Sequence, residues 1–186
     1  MNKKSIIILS IIIILGGVLY FEAGDEVVKW LYPKKYSIYV EKYAKEYNLD
    51  ENLVYSVIKA ESKFNQEALS RRGAKGLMQI ADITRDWAID ELELSEDIDI
   101  YDPETNIRIG CWYLNTLYKE FGETDLVIAA YNGGSGNVKK WLSDEEYSDD
   151  GHNLHTIPFL ETDRYLTKVK KNYGQYNKLY GEEGRN

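Results

Sequence analysis

The chain has 186 residues, 44% of them hydrophobic and 29% charged, a composition that fits one folded domain with an appended segment and does not favour intrinsic disorder. Its formal net charge is -8 and it has no basic block, which argues against a nucleic-acid partner. It has one cysteine, Cys111, which excludes an intrachain disulfide bond.

The first part of the chain is an apolar segment that differs from the rest. Its apolar run extends from Ile6 to Phe21 and follows Lys3 and Lys4, which is typical of a signal-peptide core or a short membrane span. The residues after it fit a small-x-small cleavage site poorly, because Phe21 stands two places before Ala23. No cysteine lies nearby, which excludes a lipoprotein anchor. We therefore expect residues 1–24 to form an uncleaved membrane helix.

The charges around this segment predict its orientation. Two lysines precede the apolar run, and Glu22, Asp25 and Glu26 follow it. By the positive-inside rule the N-terminus then lies in the cytoplasm, and residues 25–186 form a domain outside the cell membrane. The expected location is a single-pass protein of the cell membrane. Cleavage of the segment would instead give a secreted protein.

Most of the remaining chain has the apolar period of amphipathic helices. Capping residues help to place the helix ends, since Asp50 and Asp102 precede periodic segments and Gly122 follows the longest one. We expect helices over Tyr36–Tyr47, from Asp50 through Glu61, over Pro103–Phe121, over Leu126–Tyr131, from a cap at Ser135 to Leu142, and along a stripe from Leu166 to Tyr180.

Strand patterns are scarce in this sequence. Strict alternation of apolar and polar residues leaves room for at most one short β-hairpin, between Asp90 and Ile100. The predicted fold is therefore mainly α, preceded by one N-terminal membrane helix.

One carboxylate lies on an apolar helix stripe. Glu61 follows Val57 by four residues and Ile58 by three, so it shares the buried face of its helix. Burial and the negative end of the helix dipole both raise the pKa of such a carboxyl group. A Glu that stays protonated near neutral pH is suited to general acid catalysis. The alternative is a structural ion pair with Lys63 or Lys75.

Glu61 belongs to the first of a series of segments that resemble known motifs. The segments are Ile58–Asn65, Ala74–Ile80 with Ser70 before it, Asn106-Ile107 with Gly110 and Tyr113-Leu114, Ala130–Gly134, and Glu161-Thr162 with Tyr165. In this order they resemble the motifs of the soluble lytic transglycosylase (SLT-domain) family of the lysozyme-like superfamily. The resemblance covers about residues 45–180, which we expect to be the core of the catalytic domain.

The resemblance implies a fold and a reaction. The fold would be a lysozyme-like helical domain with a groove for a glycan strand of peptidoglycan. The reaction would cleave the β-1,4 bond between N-acetylmuramic acid and N-acetylglucosamine and leave a 1,6-anhydro product. Glu61 would act first as the acid and then as the base, and the substrate's acetamido group would take the place of a second carboxylate.

The same resemblance implies roles for further residues. Ser70 and Tyr131 would orient the catalytic carboxyl group, and the substrate would contact Met78, Gln79, Asn132, Glu161 and Tyr165. Packing is the alternative role for Met78, and capping of the last helix is the alternative for Glu161. No metal or other cofactor is expected, because the spacing of His152 and His155 matches no closed ligand set.

Two other functions remain open from the sequence. A goose-type-lysozyme-like muramidase would use water, and Asp82 or Asp86 would have to position it. A catalytically silent wall-binding scaffold of a larger cell-envelope machine would not need Glu61. The expected partners are peptidoglycan glycan strands and, through the N-terminal helix, the membrane.

Overall fold

The structure, a computed structural model, describes residues 26–181. The chain divides into two compact units, Met1–Lys34 and Lys35–Asn186. In the first unit, residues 26–31 are helical, and Val27, Trp30 and Leu31 are exposed. The membrane helix predicted over residues 1–24 lies outside the described residues. Within residues 26–181, no helix has the length and apolar character needed to cross a bilayer.

The second unit is helical, as predicted. Its described part, residues 35–181, forms seven α-helices and no β-sheet. The helices are α1 (Ser37–Glu46), α2 (Glu51–Glu61), α3 (Asp82–Glu91), α4 (Pro103–Phe121), α5 (Thr124–Gly133), α6 (Ser135–Leu142) and α7 (Leu160–Tyr180).

The predicted hairpin between Asp90 and Ile100 is not formed. After α3 the chain makes turns, and the carbonyl group of Ile100 accepts a hydrogen bond from the side chain of Asn106 instead of a strand partner. The described extended pairings lie earlier, as isolated antiparallel bridges from Lys75 to Leu69 and to Ile80. They shape the loop between α2 and α3.

Two of the three predicted N-cap residues cap their helices, and the third does not. The carboxylates of Asp50 and Asp102 accept hydrogen bonds from the backbone at the starts of α2 and α4. Ser135 does not cap α6. Helix α5 continues to Gly133, so Gly134, at a φ of 85°, is the single residue between the two helices and caps both. Glycine adopts this backbone conformation without steric cost.

Helix α5 lies at the centre of the unit. All residues from Leu126 to Ala130 are buried, and the helix packs against α4, α6 and α7. Helix α2 packs along α7, where the rings of Tyr55 and Tyr176 stack with centroids 5.5 Å apart. This packing brings the end of α2, the end of α5 and the first half of α7 together, and the candidate site lies there.

Candidate active site

Glu61 is the last residue of α2, and its side chain is half-buried. Burial raises the pKa of its carboxyl group to about 7. Tyr165 and Lys168 lower this pKa, and the charge of Glu161 raises it further. The carboxyl group can therefore hold a proton near neutral pH and release it at small cost, which is the property predicted from its position on the apolar stripe.

Two buried tyrosine hydroxyl groups lie beside this carboxyl group. Burial and the charge of Glu61 raise the pKa of both Tyr131 and Tyr165 well above the usual value, so both stay protonated and can donate hydrogen bonds. Tyr131 donates to the carbonyl oxygen of Met78 at 2.9 Å. The Tyr165 hydroxyl has no hydrogen bond of normal geometry within residues 26–181, although it is close enough to Glu61 to interact with it. Tyr165 is therefore the hydroxyl available to Glu61 or to a ligand.

The orienting hydrogen bonds expected from Ser70 and Tyr131 to Glu61 are not formed among the described residues. The Ser70 hydroxyl oxygen accepts from the backbone N–H groups of Arg72 and Ala74 at 3.2 and 3.0 Å. It thereby fixes the turn of its own loop. Tyr131 lies near Glu61, but its hydroxyl group donates its hydrogen bond to the carbonyl oxygen of Met78 in the loop.

Asn106 holds the loop that carries the Gly-Leu-Met-Gln segment. Its side chain is fully buried and donates to the carbonyl oxygens of Lys75 and Ile100 at 3.0 and 2.8 Å. Its Oδ1 accepts from the N–H of Met78 at 2.8 Å. A Cβ atom at Gly76 would lie 2.2 Å from Asn106 Nδ2, so only glycine fits there. No role of Asn106 at the site was predicted from the sequence, although Asn106 is a polar residue four positions before Gly110, beside the apolar stripe of its helix, and a polar residue near such a stripe is the signal that identified Glu61.

The two predicted substrate-binding residues of this loop have different environments. Met78 is fully buried, and its Sδ would lie 2.3 Å from a Cβ atom at Gly110, so its side chain packs in the core, the alternative role given above, and its contact with a substrate stays a prediction. Gln79 is half-buried at a φ of 52°, and its amide NH2 group donates to the carbonyl oxygens of Ala68 and Gly76. Its Oε1 is left to accept from a ligand.

A cavity of about 310 Å³ is lined in part by Asn132 and Glu161, two of the predicted substrate-binding residues. The other lining residues are Arg72, Gly133, Asn137, Phe159, Leu160 and Thr162. Thr162 donates to Asn132 Oδ1 at 2.9 Å and holds the amide in place, a role that was not predicted from the sequence. Glu161 forms an exposed ion pair with Arg72 at 3.1 Å and does not cap α7, whose N-cap is Phe159. The cavity wall therefore combines polar side chains with the apolar side chains of Phe159 and Leu160.

Among residues 26–181, neither of the ion pairs considered for Glu61, with Lys63 or with Lys75, is formed. Lys75 pairs with Asp82 at 2.6 Å, and Arg85 pairs with Asp86 at the same distance. The carboxylates that a hydrolytic mechanism would need are therefore engaged in exposed ion pairs. The cation that lowers the pKa of Glu61 is Lys168.

Lys168 also fixes the end of α2. Its ammonium group donates a hydrogen bond to the carbonyl oxygen of Ala60, one of the free acceptors at the helix C-terminus. Lys59 and Lys63 lie near Lys168. Burial and the positive charges of Lys63 and Lys168 lower the pKa of Lys59. The catalytic candidate thus lies at the edge of a small basic cluster in an otherwise acidic chain.

Comparisons with known proteins agree with this architecture. The family model "Transglycosylase SLT domain" matches residues 38–153. The soluble lytic murein transglycosylase of Escherichia coli (strain K12) is 31% identical over 157 residues, which cover 82% of this chain and 24% of that protein. The membrane-bound lytic murein transglycosylase C of Yersinia pestis (strain Pestoides F) is 32% identical over 169 residues, which cover 76% of this chain and 47% of that protein.

Solved structures show the same fold. The 70 kDa soluble lytic transglycosylase from Escherichia coli matches with a TM-score of 0.74 and 28% identity, over 84% of this chain and 26% of that one. The Pseudomonas aeruginosa lytic transglycosylase Slt, in an inactive mutant, matches with a TM-score of 0.71 and 29% identity, over 81% and 25%. The chain spans about a quarter to a half of the length of the curated relatives. It belongs to the transglycosylase SLT domain family.

Proposed function

We propose that this protein is a peptidoglycan lytic transglycosylase that cleaves the bond between N-acetylmuramic acid and N-acetylglucosamine. The observation that carries the proposal is Glu61, a half-buried carboxyl group with a pKa raised to about 7 beside two protonated tyrosine hydroxyl groups. The names of the relatives, which are lytic murein transglycosylases, support the same activity.

The proposed reaction needs one carboxyl group in two roles. Glu61 gives its proton to the glycosidic oxygen, and the bond from that oxygen to C1 of the muramic acid breaks. The 2-acetamido group of the same sugar stabilises the positive charge that develops at C1. The C6 hydroxyl oxygen then bonds to C1 while its proton passes to the Glu61 carboxylate. The enzyme returns to its starting state, and no water is consumed.

The surrounding charges support this chemistry over hydrolysis. A two-carboxylate mechanism needs a second free carboxylate facing the same bond. Among the described residues, Glu161 is paired with Arg72 in an exposed position, and Asp82 and Asp86 are also in exposed ion pairs. None of the three shares the half-buried environment of Glu61.

The proposed roles of the other residues follow from their contacts. Tyr165 donates to the Glu61 carboxylate in the second half of the reaction, because its buried hydroxyl group is uncommitted. Asn132, held by Thr162, presents its amide group to the N-acetyl groups and hydroxyls of the sugars. Glu161 and Arg72 contact the part of the substrate that enters the cavity, and Gln79 accepts through its Oε1.

We also propose that residues 1–24 anchor the protein in the cell membrane with the catalytic domain outside. The support is the apolar run between the lysines and the acidic residues that follow it. Fractionation of cells that make the full chain tests this location. Most of the protein should sediment with membranes, and removal of residues 1–24 should release it.

The proposed activity is tested with purified peptidoglycan and the full chain. The released muropeptides should be one water lighter than hydrolytic products and should lack a reducing end. Glu61→Gln should release no muropeptides, because the neutral amide can neither give nor take the proton. Glu67→Gln, an exposed glutamate six residues later, is the matched control and should keep full activity. Reducing-end products would overturn the transglycosylase mechanism.

A further inference from the structure

Trp87 of α3 has an unusual position for so large an aromatic side chain. It is 42% exposed, although α3 packs against α4. Its ring stands nearly perpendicular to two rings of α4, those of Trp112 at 4.8 Å and Tyr113 at 6.3 Å. These contacts fix the indole in one orientation at the surface. Aromatic side chains line many ligand-binding sites, and an ordered indole at the surface offers an apolar face to a ligand.

Tyr113 also links Trp87 to the surroundings of Glu61, the candidate catalytic residue. The ring of Tyr113 lies 5.4 Å from that of Tyr131 on α5. Burial and, after it, the charge of Glu61 raise the pKa of Tyr131, so Tyr131 lies within electrostatic range of Glu61. A continuous aromatic row, Trp87–Tyr113–Tyr131, therefore extends from an exposed indole to the surroundings of the carboxyl group that would cleave the glycan.

We propose that Trp87 is a sugar-stacking platform at the end of this row, which binds a glycan residue away from the bond that is cut. The proposal rests on the proposed function, because it takes the glycan strand as the occupant. Pyranose rings have an apolar face of C–H groups that packs on an aromatic ring. The platform is already ordered by Trp112 and Tyr113, so little conformational entropy is lost when the sugar binds.

The neighbouring surface supports a neutral sugar as the occupant. Ile83, one turn before Trp87 on α3, is 81% exposed and extends the apolar surface. The chain as a whole carries a net charge of -8, which disfavours binding of an anionic partner at an apolar face. The N-acetylglucosamine residues of the strand are uncharged and match both features, whereas each N-acetylmuramic acid freed of its peptide has a lactyl carboxylate. Strands long enough to reach from Glu61 to Trp87 should therefore bind more tightly than short ones.

The test measures binding without turnover. Full-length Glu61→Gln protein is titrated calorimetrically with uncross-linked glycan strands of defined length, freed of their peptides by an amidase. Adding Trp87→Ala should weaken binding of long strands by roughly tenfold and leave short strands unaffected, while Trp87→Phe should retain most of the affinity. The matched control is Trp30→Ala, which removes another exposed tryptophan, in the first unit.

Kinetic measurements distinguish a sugar-stacking role of Trp87 from a purely structural role. In the active enzyme, Trp87→Ala should raise KM for long strands and leave kcat unchanged, whereas a packing defect passed through Tyr113 to Tyr131 would lower kcat. Unchanged affinity for long strands would overturn the proposal, and a changed oligomeric state in sedimentation with unchanged affinity would identify the surface as a contact between copies. If the Glu61→Gln protein binds no glycan of any length, the proposed function itself fails, and the platform fails with it.

Discussion

A carboxyl group that gives and then takes a proton at the same pH must have a pKa near that pH. Glu61 reaches this condition chiefly through burial, which alone would disfavour its ionised form. Tyr165 and Lys168 act against burial and keep the ionised form accessible. The balance among these neighbours, rather than any one of them, sets the working pH of the residue.

The first prediction concerns Lys168. Its positive charge lowers the pKa of Glu61, so Lys168→Met should raise that pKa and keep the acid protonated to higher pH. The alkaline limb of kcat/KM, expected near pH 7 in the unmodified enzyme, should therefore move to higher pH. Lys170→Met on the same helix is the control, because Lys170 pairs with Asp125. A limb that stays in place or moves to lower pH would contradict the assignment.

The second prediction concerns the stability cost of a buried acid. The pKa of Glu61 is higher in the folded state, about 7, than its ordinary value of 4.5, so folding becomes less favourable as pH rises through this interval. Glu61→Gln should therefore stabilise the protein by roughly 1–3 kcal/mol at pH 8 and by almost nothing at pH 4. Urea unfolding at the two pH values measures the difference. Equal effects at both would show that the carboxyl group is not perturbed.

At the scale of elements, the site depends on a loop that has little regular structure of its own. Residues 70–80 are held by isolated β-bridges, by the Ser70 hydroxyl and by Asn106 from α4. The side chain of Asn106 forms hydrogen bonds with three backbone groups of neighbouring loops, where a β-strand would otherwise supply the partners. Its removal would leave the N–H group of Met78 and the carbonyl group of Ile100 buried without partners, while the carbonyl group of Lys75 would keep its bond from the N–H of Ile80.

The third prediction tests this arrangement. Asn106→Ala should lower the free energy of unfolding by about 2–4 kcal/mol, because two buried backbone groups, the N–H of Met78 and the carbonyl of Ile100, lose their partner and the carbonyl of Lys75 loses one of its two. Activity should fall more than stability explains, since Met78, whose carbonyl group holds Tyr131, loses its own hydrogen bond. Asn115→Ala on the same helix, which loses one bond to the carbonyl of Tyr47, is the control. Denaturant titration and muropeptide release provide the two readouts.

The elements were predictable where local chemistry decides them. The caps at Asp50 and Asp102 and the stop at Gly122 are local, and the helices that they bound formed as expected. Ser135 is not a cap because α5 extends to Gly133. Only Gly134 then lies between α5 and α6, and its positive φ favours glycine. The burial of Met78 depends on the absence of a side chain at Gly110, a contact between distant segments that periodicity does not encode.

At the scale of the whole molecule, the fold serves to bring three helix segments together. The end of α2 supplies Glu61, the end of α5 supplies Tyr131 and Asn132, and α7 supplies Tyr165 and the Thr162 side chain that holds Asn132. The sequence motifs led us to expect these residues in one site. They could not predict which hydroxyl group faces the carboxyl group, because that depends on the packing of α7 against α2 and α5.

The most direct test of the central claim is the fate of water in the reaction. Peptidoglycan is digested by the full chain in water enriched in oxygen-18, and the muropeptides are weighed by mass spectrometry. If Glu61 transfers the proton of the C6 hydroxyl group and no water attacks, the products carry no oxygen-18 and have the anhydro mass. Incorporation of one oxygen-18 atom per cleaved bond would show that water attacks C1, and the enzyme would then be a hydrolase on the same fold.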